Sequence, residues 1–292
     1  MESSNFSKSN AIAPATQLIQ QEAFTDSSGT FIYWLSGSGF LINSRGTLIM
    51  IDPVISLEKG KNDISEIGIR MSVSLPIEAS SVPQLDAVLY THGDNDHMGK
   101  YTPSSLVHKG TLFGGTPPVL KNLESLGVPV GQYKSLDIGE TFRVGQIEIT
   151  TTPADHPWQE KNPAKYGNPW GPKDCCGFLI KTLDGTIWCP GDTRLLPEHL
   201  QMKGIDVLLL DVSWNEYHLG PESAITLANT YSNAYLIPYH YGSYETEIEA
   251  LNGNPMELAP SITSWQKRLH VLAPGEKFKV SRFEDEHKDN MS

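Results

Sequence analysis

From Phe31 onward the chain alternates short apolar runs with breaks rich in Gly, Asn and Asp. The runs Phe31-Ile32-Tyr33-Trp34-Leu35, Gly39-Phe40-Leu41-Ile42-Asn43 and Thr47-Leu48-Ile49-Met50-Ile51 are too short for helices and rich in aromatic and β-branched residues, so they predict strands. Asn43-Ser44-Arg45-Gly46 between the last two predicts a hairpin turn. Further strands are predicted over residues 85–90, 146–150, 177–181, 186–189 and 205–210. After Gly220-Pro221 the period changes: Ala224, Leu227, Ala228 and Tyr231 fall on one helical face, and Pro suits the first helical position. Pro117-Pro118 opens a weaker helix running through Leu126. Two strand-rich halves with no long linker predict an α/β fold, an αββα sandwich of two mostly antiparallel or mixed sheets with helices on both outer faces. One domain is predicted over residues 25–283, with a flexible tail over 1–24, which is rich in Ser, Asn and Gln, and a polar tail over 284–292.

Charge narrows the partners. Lys and Arg total 22 against 34 Asp and Glu, a formal charge of -12, and no basic cluster interrupts it, which argues against nucleic acid. There is no run of eighteen apolar residues, so no membrane span is expected, and the first residues lack the pattern of a secretory signal. A cytoplasmic protein with reduced thiols at Cys175, Cys176 and Cys189 is the expectation, because adjacent Cys175 and Cys176 are poorly placed to pair. The expected partner is a small molecule, with an anionic one favoured if bound cations offset the acidic charge; a homo-oligomer is compatible with all of this.

The densest chemistry lies in Thr91-His92-Gly93-Asp94-Asn95-Asp96-His97, directly after the apolar run at 85–90. Imidazoles and carboxylates gathered on a turn after a buried strand are preferred donors for zinc and similar divalent metals. A single loop cannot surround two ions, so distant donors are required. Three candidates each follow a strand-like apolar run and sit close to Pro or Gly: His156 in Asp155-His156-Pro157, Asp192 in Gly191-Asp192-Thr193, and His240 in Pro238-Tyr239-His240 after Ala234-Tyr235-Leu236. Taken singly, each reads as an ordinary loop residue; the order and context favour ligation.

That order of His-x-Asp-x-Asp-His, lone His, Gly-Asp-Thr and Pro-x-His resembles the metallo-β-lactamase-fold hydrolases. Trp34-Leu35 with Gly39-Phe40, Ile51-Asp52-Pro53 and Gly220-Pro221-Glu222-Ser223-Ala224 are most similar to the branch that contains ascorbate-6-phosphate lactonase. The resemblance implies a binuclear centre in which His92, Asp94 and His156 hold one ion, Asp96, His97 and His240 hold the other, and Asp192 bridges. It also implies a hydroxide held between two divalent ions, zinc first with manganese or iron(II) as alternatives, attacking an ester-type bond in a lactone, carboxylic ester or phosphodiester. Asp96 and Asp192 are then the catalytic carboxylates, with Asp96 relaying a proton.

Asp94 departs from the commoner pattern, which has His there. It ligates directly, or through water, or leaves the first site weak. Asp52 before Pro53 either orients a ligand histidine or caps the following loop. His218, Tyr241 and Trp170 are candidate substrate contacts, with packing as the competing role. Trp158, Tyr166 and Trp170 lie in an irregular stretch suited to covering a pocket mouth. His108, His199, His270 and His287 have no comparable context. Two other classes share the resemblance: a di-iron redox protein and a non-catalytic scaffold.

Overall fold

Strands that are apolar on both faces must be covered on both faces, and this requirement sets the architecture. The computed structural model describes residues 9–283. Its strands are β1 (Thr30–Ser36), β2 (Gly39–Ser44), β3 (Thr47–Ile51), β4 (Ala87–Leu89), β5 (Leu112–Gly115), β6 (Tyr133–Ser135), β7 (Thr141–Val144), β8 (Ile147–Pro153), β9 (Cys176–Lys181), β10 (Thr186–Cys189), β11 (Val207–Asp211), β12 (Tyr235–Tyr239) and β13 (Lys277–Lys279). A 7-stranded sheet runs β13-β1-β2-β3-β4-β5-β6 and a 6-stranded sheet runs β12-β11-β10-β9-β8-β7. Both are mixed: β1, β2 and β3 pair antiparallel, β3 to β6 parallel, and β10, β11 and β12 parallel.

The two-residue alternation of strand side chains divides the core into layers. Ile32, Trp34, Phe40, Ile42, Ile49 and Ile51 meet Ile149, Phe178, Ile180 and Ile187 of the opposite sheet. Their neighbours Tyr33, Leu35, Leu41, Met50 and Val88 point outward and are covered by Val119 and Leu123 of the helix Pro117–Ser125. On the other side, Ala224, Leu227 and Ala228 of the helix Gly220–Thr230 join the core cluster that holds β11. The predicted sandwich and both predicted helices are therefore present.

Turn chemistry fixes the register. Ser44 pairs with Thr47, and Arg45 and Gly46 both take positive φ, as a two-residue hairpin with matching twist requires. The unpredicted strand β5, Leu-Phe-Gly-Gly, reads as a turn by composition. Its Gly115 is a packing necessity, since a Cβ there would lie 2.3 Å from Val119 Cγ1 of the covering helix.

One expectation fails. Residues 9–24, read as a flexible tail, lie along the domain: Ala13 N donates to Gly242 O (3.4 Å), Gln17 N to Pro274 O (2.8 Å) and Ile19 N to Pro76 O (2.9 Å), and Ala13, Ile19, Ala23 and Phe24 are buried. Single apolar residues scattered among polar ones have no period, yet Ala13 joins one core cluster and Ile19, Ala23 and Phe24 join the other. Residues 1–8 and the expected tail at 284–292 lie outside the described residues. Among the described residues no helix is long and apolar enough to cross a membrane.

Candidate metal centre

The chemistry-bearing side chains gather at one edge of the sandwich because each follows the carboxyl end of a strand. Asp52 follows β3, the segment 91–97 follows β4, His156 follows β8, Asp192 follows β10, and His240 follows β12. Two of these junctions are bent: Asp52 and His240 take φ of 45° and 58°. Such left-handed backbone is disfavoured for residues with a side chain, and it turns both groups back toward the cluster.

Asp192 is the hub. Its Oδ1 lies 3.1 Å from His240 Nε2, and its Oδ2 lies 3.0 Å from His97 Nε2 and 3.9 Å from His92 Nε2. Asp94 Oδ2 lies 3.4 Å from His92 Nε2 and 3.6 Å from His156 Nε2. Donors about 2.1 Å from a tetrahedral zinc ion stand roughly 3.4 Å apart, so these separations suit ligands sharing an ion. Asp96, His97, Asp192 and His240 bring one donor atom each within 4.8 Å of one another, and so do His92, His156 and Asp192. The sequence-predicted ligands thus converge into two groups that share Asp192, with Asp94 reaching the second group through His92 and His156.

Outer contacts orient the rings. Asp52 Oδ2 lies 2.9 Å from His97 Nδ1 and accepts from Thr91 Oγ1 at 2.7 Å, while Thr91 N donates to Asp52 Oδ1 at 2.8 Å. Because the Thr91 hydroxyl proton goes to Asp52, its lone pair faces His92 Nδ1 at 3.0 Å. His156 Nδ1 donates to Tyr217 O at 2.7 Å. Each bond to Nδ1 leaves Nε2 facing inward, as metal-binding histidines are held.

Electrostatics makes the same demand for cations. Burial alone would raise the Asp192 carboxyl, but the imidazoles of His218, His97 and His240 outweigh it and hold it well below the usual carboxylate range. Burial opposes charge on His97, yet Asp192 and Asp52 raise it well above the usual imidazole range. His92 goes the other way: burial, then the nearby His97, lowers it, which keeps the ring neutral. Its Nε2 is buried without a hydrogen-bond partner among the described residues. A buried nitrogen with an unused lone pair beside the Asp94 and Asp192 carboxylates fits a divalent cation.

A cavity of about 420 Å³ opens beside this cluster, lined by Asp94, Asp96, His156, Asp192 and His218 together with the apolar side chains of Ile67, Ile69, Ile248 and Leu251. Trp158, Lys161 and Tyr166 of the irregular stretch also line it. The substrate-contact assignments fare differently. Tyr241 is corrected: it is fully buried, stacks on Trp34 at 4.5 Å between ring centroids, and donates its hydroxyl to Leu272 O, so it is a core residue. Trp170 rests edge-on against the His92 ring, 5.4 Å between centroids, and is not among the cavity-lining residues. His218 does line the cavity, but its Nε2 also lies 3.5 Å from Asp192 Oδ2. Sequence reasoning missed Asp211, whose Oδ2 lies 2.7 Å from His218 Nδ1; the one available signal was an acid closing the apolar run of β11. His199 is buried and structural, its Nε2 bonded to Pro153 O at 2.8 Å.

A metal-dependent hydrolase of Pyrobaculum neutrophilum is 25% identical over 254 residues, covering 85% of this chain and 99% of that protein. A metal-dependent hydrolase of Azorhizobium caulinodans is 24% identical over 261 residues, with the same shares covered. Among solved structures, a metallo hydrolase from Ignicoccus hospitalis superposes with a TM-score of 0.62 at 20% identity, covering 85% of this chain and 97% of that one. An isothiocyanate hydrolase from Delia radicum gut bacteria superposes with a TM-score of 0.66 at 18% identity, covering 86% and 99%. The family described as the beta-lactamase superfamily domain matches residues 47–241. A match that starts with β3 and ends one residue past His240 takes in every predicted ligand, and the chain is therefore a member of the metallo-β-lactamase superfamily.

Proposed function

We propose that this protein is a metal-dependent hydrolase that uses two divalent ions, zinc in preference to manganese or iron(II), to cleave an ester-type bond in a small molecule. The carrying observation is the Asp192 carboxylate, which has imidazole nitrogens 3.1 Å and 3.0 Å from its two oxygens and stands between two donor groups. In this reading His92, Asp94 and His156 hold one ion, Asp96, His97 and His240 the other, and Asp192 serves both. When bound, such ions bring water to ionise near neutral pH and polarise the electrophilic oxygen.

The chain's own residues do the rest. Asp52 and Thr91 set the ring planes of His97 and His92, so the donors are arranged before any ligand arrives. Asp96 faces the cavity and takes up the proton released on attack. Ile67, Ile69 and Ile248 give the cavity an apolar lining that favours an apolar body in the substrate. Lys161 lines the same cavity and suits an anionic substituent. A lactone, an aryl ester or a phosphodiester fits these elements, and lactones are the first choice to test.

The experiment is a panel of generic lactone, aryl ester and bis-aryl phosphodiester substrates, run on metal-free protein reconstituted with zinc and with manganese. Metal-dependent turnover of at least one class is expected. Stoichiometric zinc or manganese with no hydrolysis of any class would overturn the ester assignment, and iron with a charge-transfer band would point to redox chemistry instead.

A further inference from the structure

His92, His97 and His156 share one construction: Nδ1 is engaged by an oxygen outside the cluster, and Nε2 faces inward. His218 is built in the same way but stands outside the ligand set assigned above. Its Nδ1 lies 2.7 Å from Asp211 Oδ2, and Asp211 is in turn held by Ser213 N, which donates to Oδ1 at 2.9 Å. His218 is 3% exposed and Asp211 is fully buried, so water does not compete for either.

His218 Nε2 faces Asp192 Oδ2 at 3.5 Å, beyond the range of a good N–H···O bond of about 2.7–3.2 Å. A shared cation suits this separation, because two donors on one ion stand roughly 3.4 Å apart. His218 also has neighbours that a ligand would have, with its ring centroid 4.8 Å from that of His156 and 5.5 Å from that of His240.

We propose that His218 is a further ligand of the metal centre, oriented by Asp211, on the cavity-facing side of the Asp192 carboxylate. This rests on the metal-centre reading above. Asp211 acts through His218 and does not itself touch the ion, since its Oδ2 is engaged by the ring and its Oδ1 by the backbone. An imidazole in this position fills one coordination site that faces the cavity, and substrate has to share the remaining ones.

Metal-free full-length protein is titrated with cobalt(II), read by visible absorption and by competition with a chromophoric chelator. Unmutated protein is expected to take up two equivalents. His218→Ala should weaken one of them by 100-fold or more and alter the cobalt band, and Asp211→Asn should weaken the same one by about 10-fold. His218→Gln preserves more of the packing and keeps the test open should the alanine variant fail to fold. A third measurement needs no substitution: in protein labelled with ¹⁵N-histidine, the His218 Nε2 resonance should move on zinc addition. Two equivalents bound with unchanged affinity and band in the folded variants, or an unmoved His218 Nε2 resonance in zinc-loaded protein, overturn the proposal while leaving the metal centre standing. Unmutated protein that takes up no metal overturns both.

Discussion

At Asp192 one carboxylate serves two donor groups, so a change of a single atom there should disturb both. Asp192→Asn removes the negative charge while keeping the volume. The expected outcome is loss of stoichiometric metal by elemental analysis and a fall in hydrolysis on the order of a thousandfold. Asp52→Asn acts at one remove: its geometry is kept, but the acceptor for His97 Nδ1 is weakened, and metal affinity should fall about 10- to 100-fold in a chelator competition. The residue scale is also where the sequence was most and least legible. His92, Asp96, His97, His156, Asp192 and His240 could be picked out as candidates because each follows an apolar run and lies within two residues of Gly, Pro or Asn, a local pattern with a local cause. Tyr241 could not be placed, because position beside His240 says nothing of side: after a left-handed residue at His240, the next side chain turns into the core against Trp34. Asp211 and His218 are joined only through the fold.

Among the elements, the segment 53–72 has little regular structure yet supplies Ile67 and Ile69 to the cavity. Its anchor is Glu66, a fully buried carboxylate that accepts from Ser56 N (3.0 Å), Tyr101 N (2.6 Å), Thr102 N (3.0 Å) and the Thr102 hydroxyl. The bonds to Tyr101 and Thr102 tie this segment to the chain just beyond the ligand helix Asn95–Met98. Gly99 makes the approach feasible: it has φ of 69°, and a Cβ would lie 2.4 Å from the Glu66 carboxyl. Glu66→Ala strands several buried donors and should cost about 3 kcal/mol in urea denaturation, with KM for an apolar substrate rising more than kcat falls. This anchor has no local signature, since a lone Glu carries no spacing pattern. Strands β1 to β3 were legible in full because they are covered on both faces and read as unbroken apolar runs. By contrast β6 and β13 are short edge strands whose pairing depends on neighbours distant in sequence.

For the whole molecule, stability depends on contacts far from the metal centre. Removal of residues 1–24 exposes the core surface now covered by Ala13, Ile19, Ala23 and Phe24; at roughly 1.5–3 kcal/mol for each large side chain, the melting temperature should fall by about 10 °C. At the opposite end of the sandwich, Arg45 of the β2–β3 turn bonds Asp184 of the β9–β10 turn at 2.7 Å, joining one sheet to the other. Burial raises the Asp184 carboxyl, but the bonds from Arg45 and Thr30 more than offset this and leave it below the usual range. A depressed carboxylate stabilises the fold above its unfolded pKa of about 3.9 and loses that contribution as pH falls through the folded value. Asp184→Asn should therefore cost about 1 kcal/mol at pH 7, a modest figure because the pair is partly exposed, and the gap from the unmutated protein should narrow as pH falls below the unfolded pKa of about 3.9. The proposed metal ligands lie far apart along the chain: His97 and His240, whose Nε2 atoms lie 3.3 Å apart, are 143 residues distant in sequence. A nascent chain cannot bring this pair together until β12 and His240 have left the ribosome, so metal loading is expected as a late step. In a cell-free translation series truncated before and after His240, tight zinc retention should appear only in the longer products.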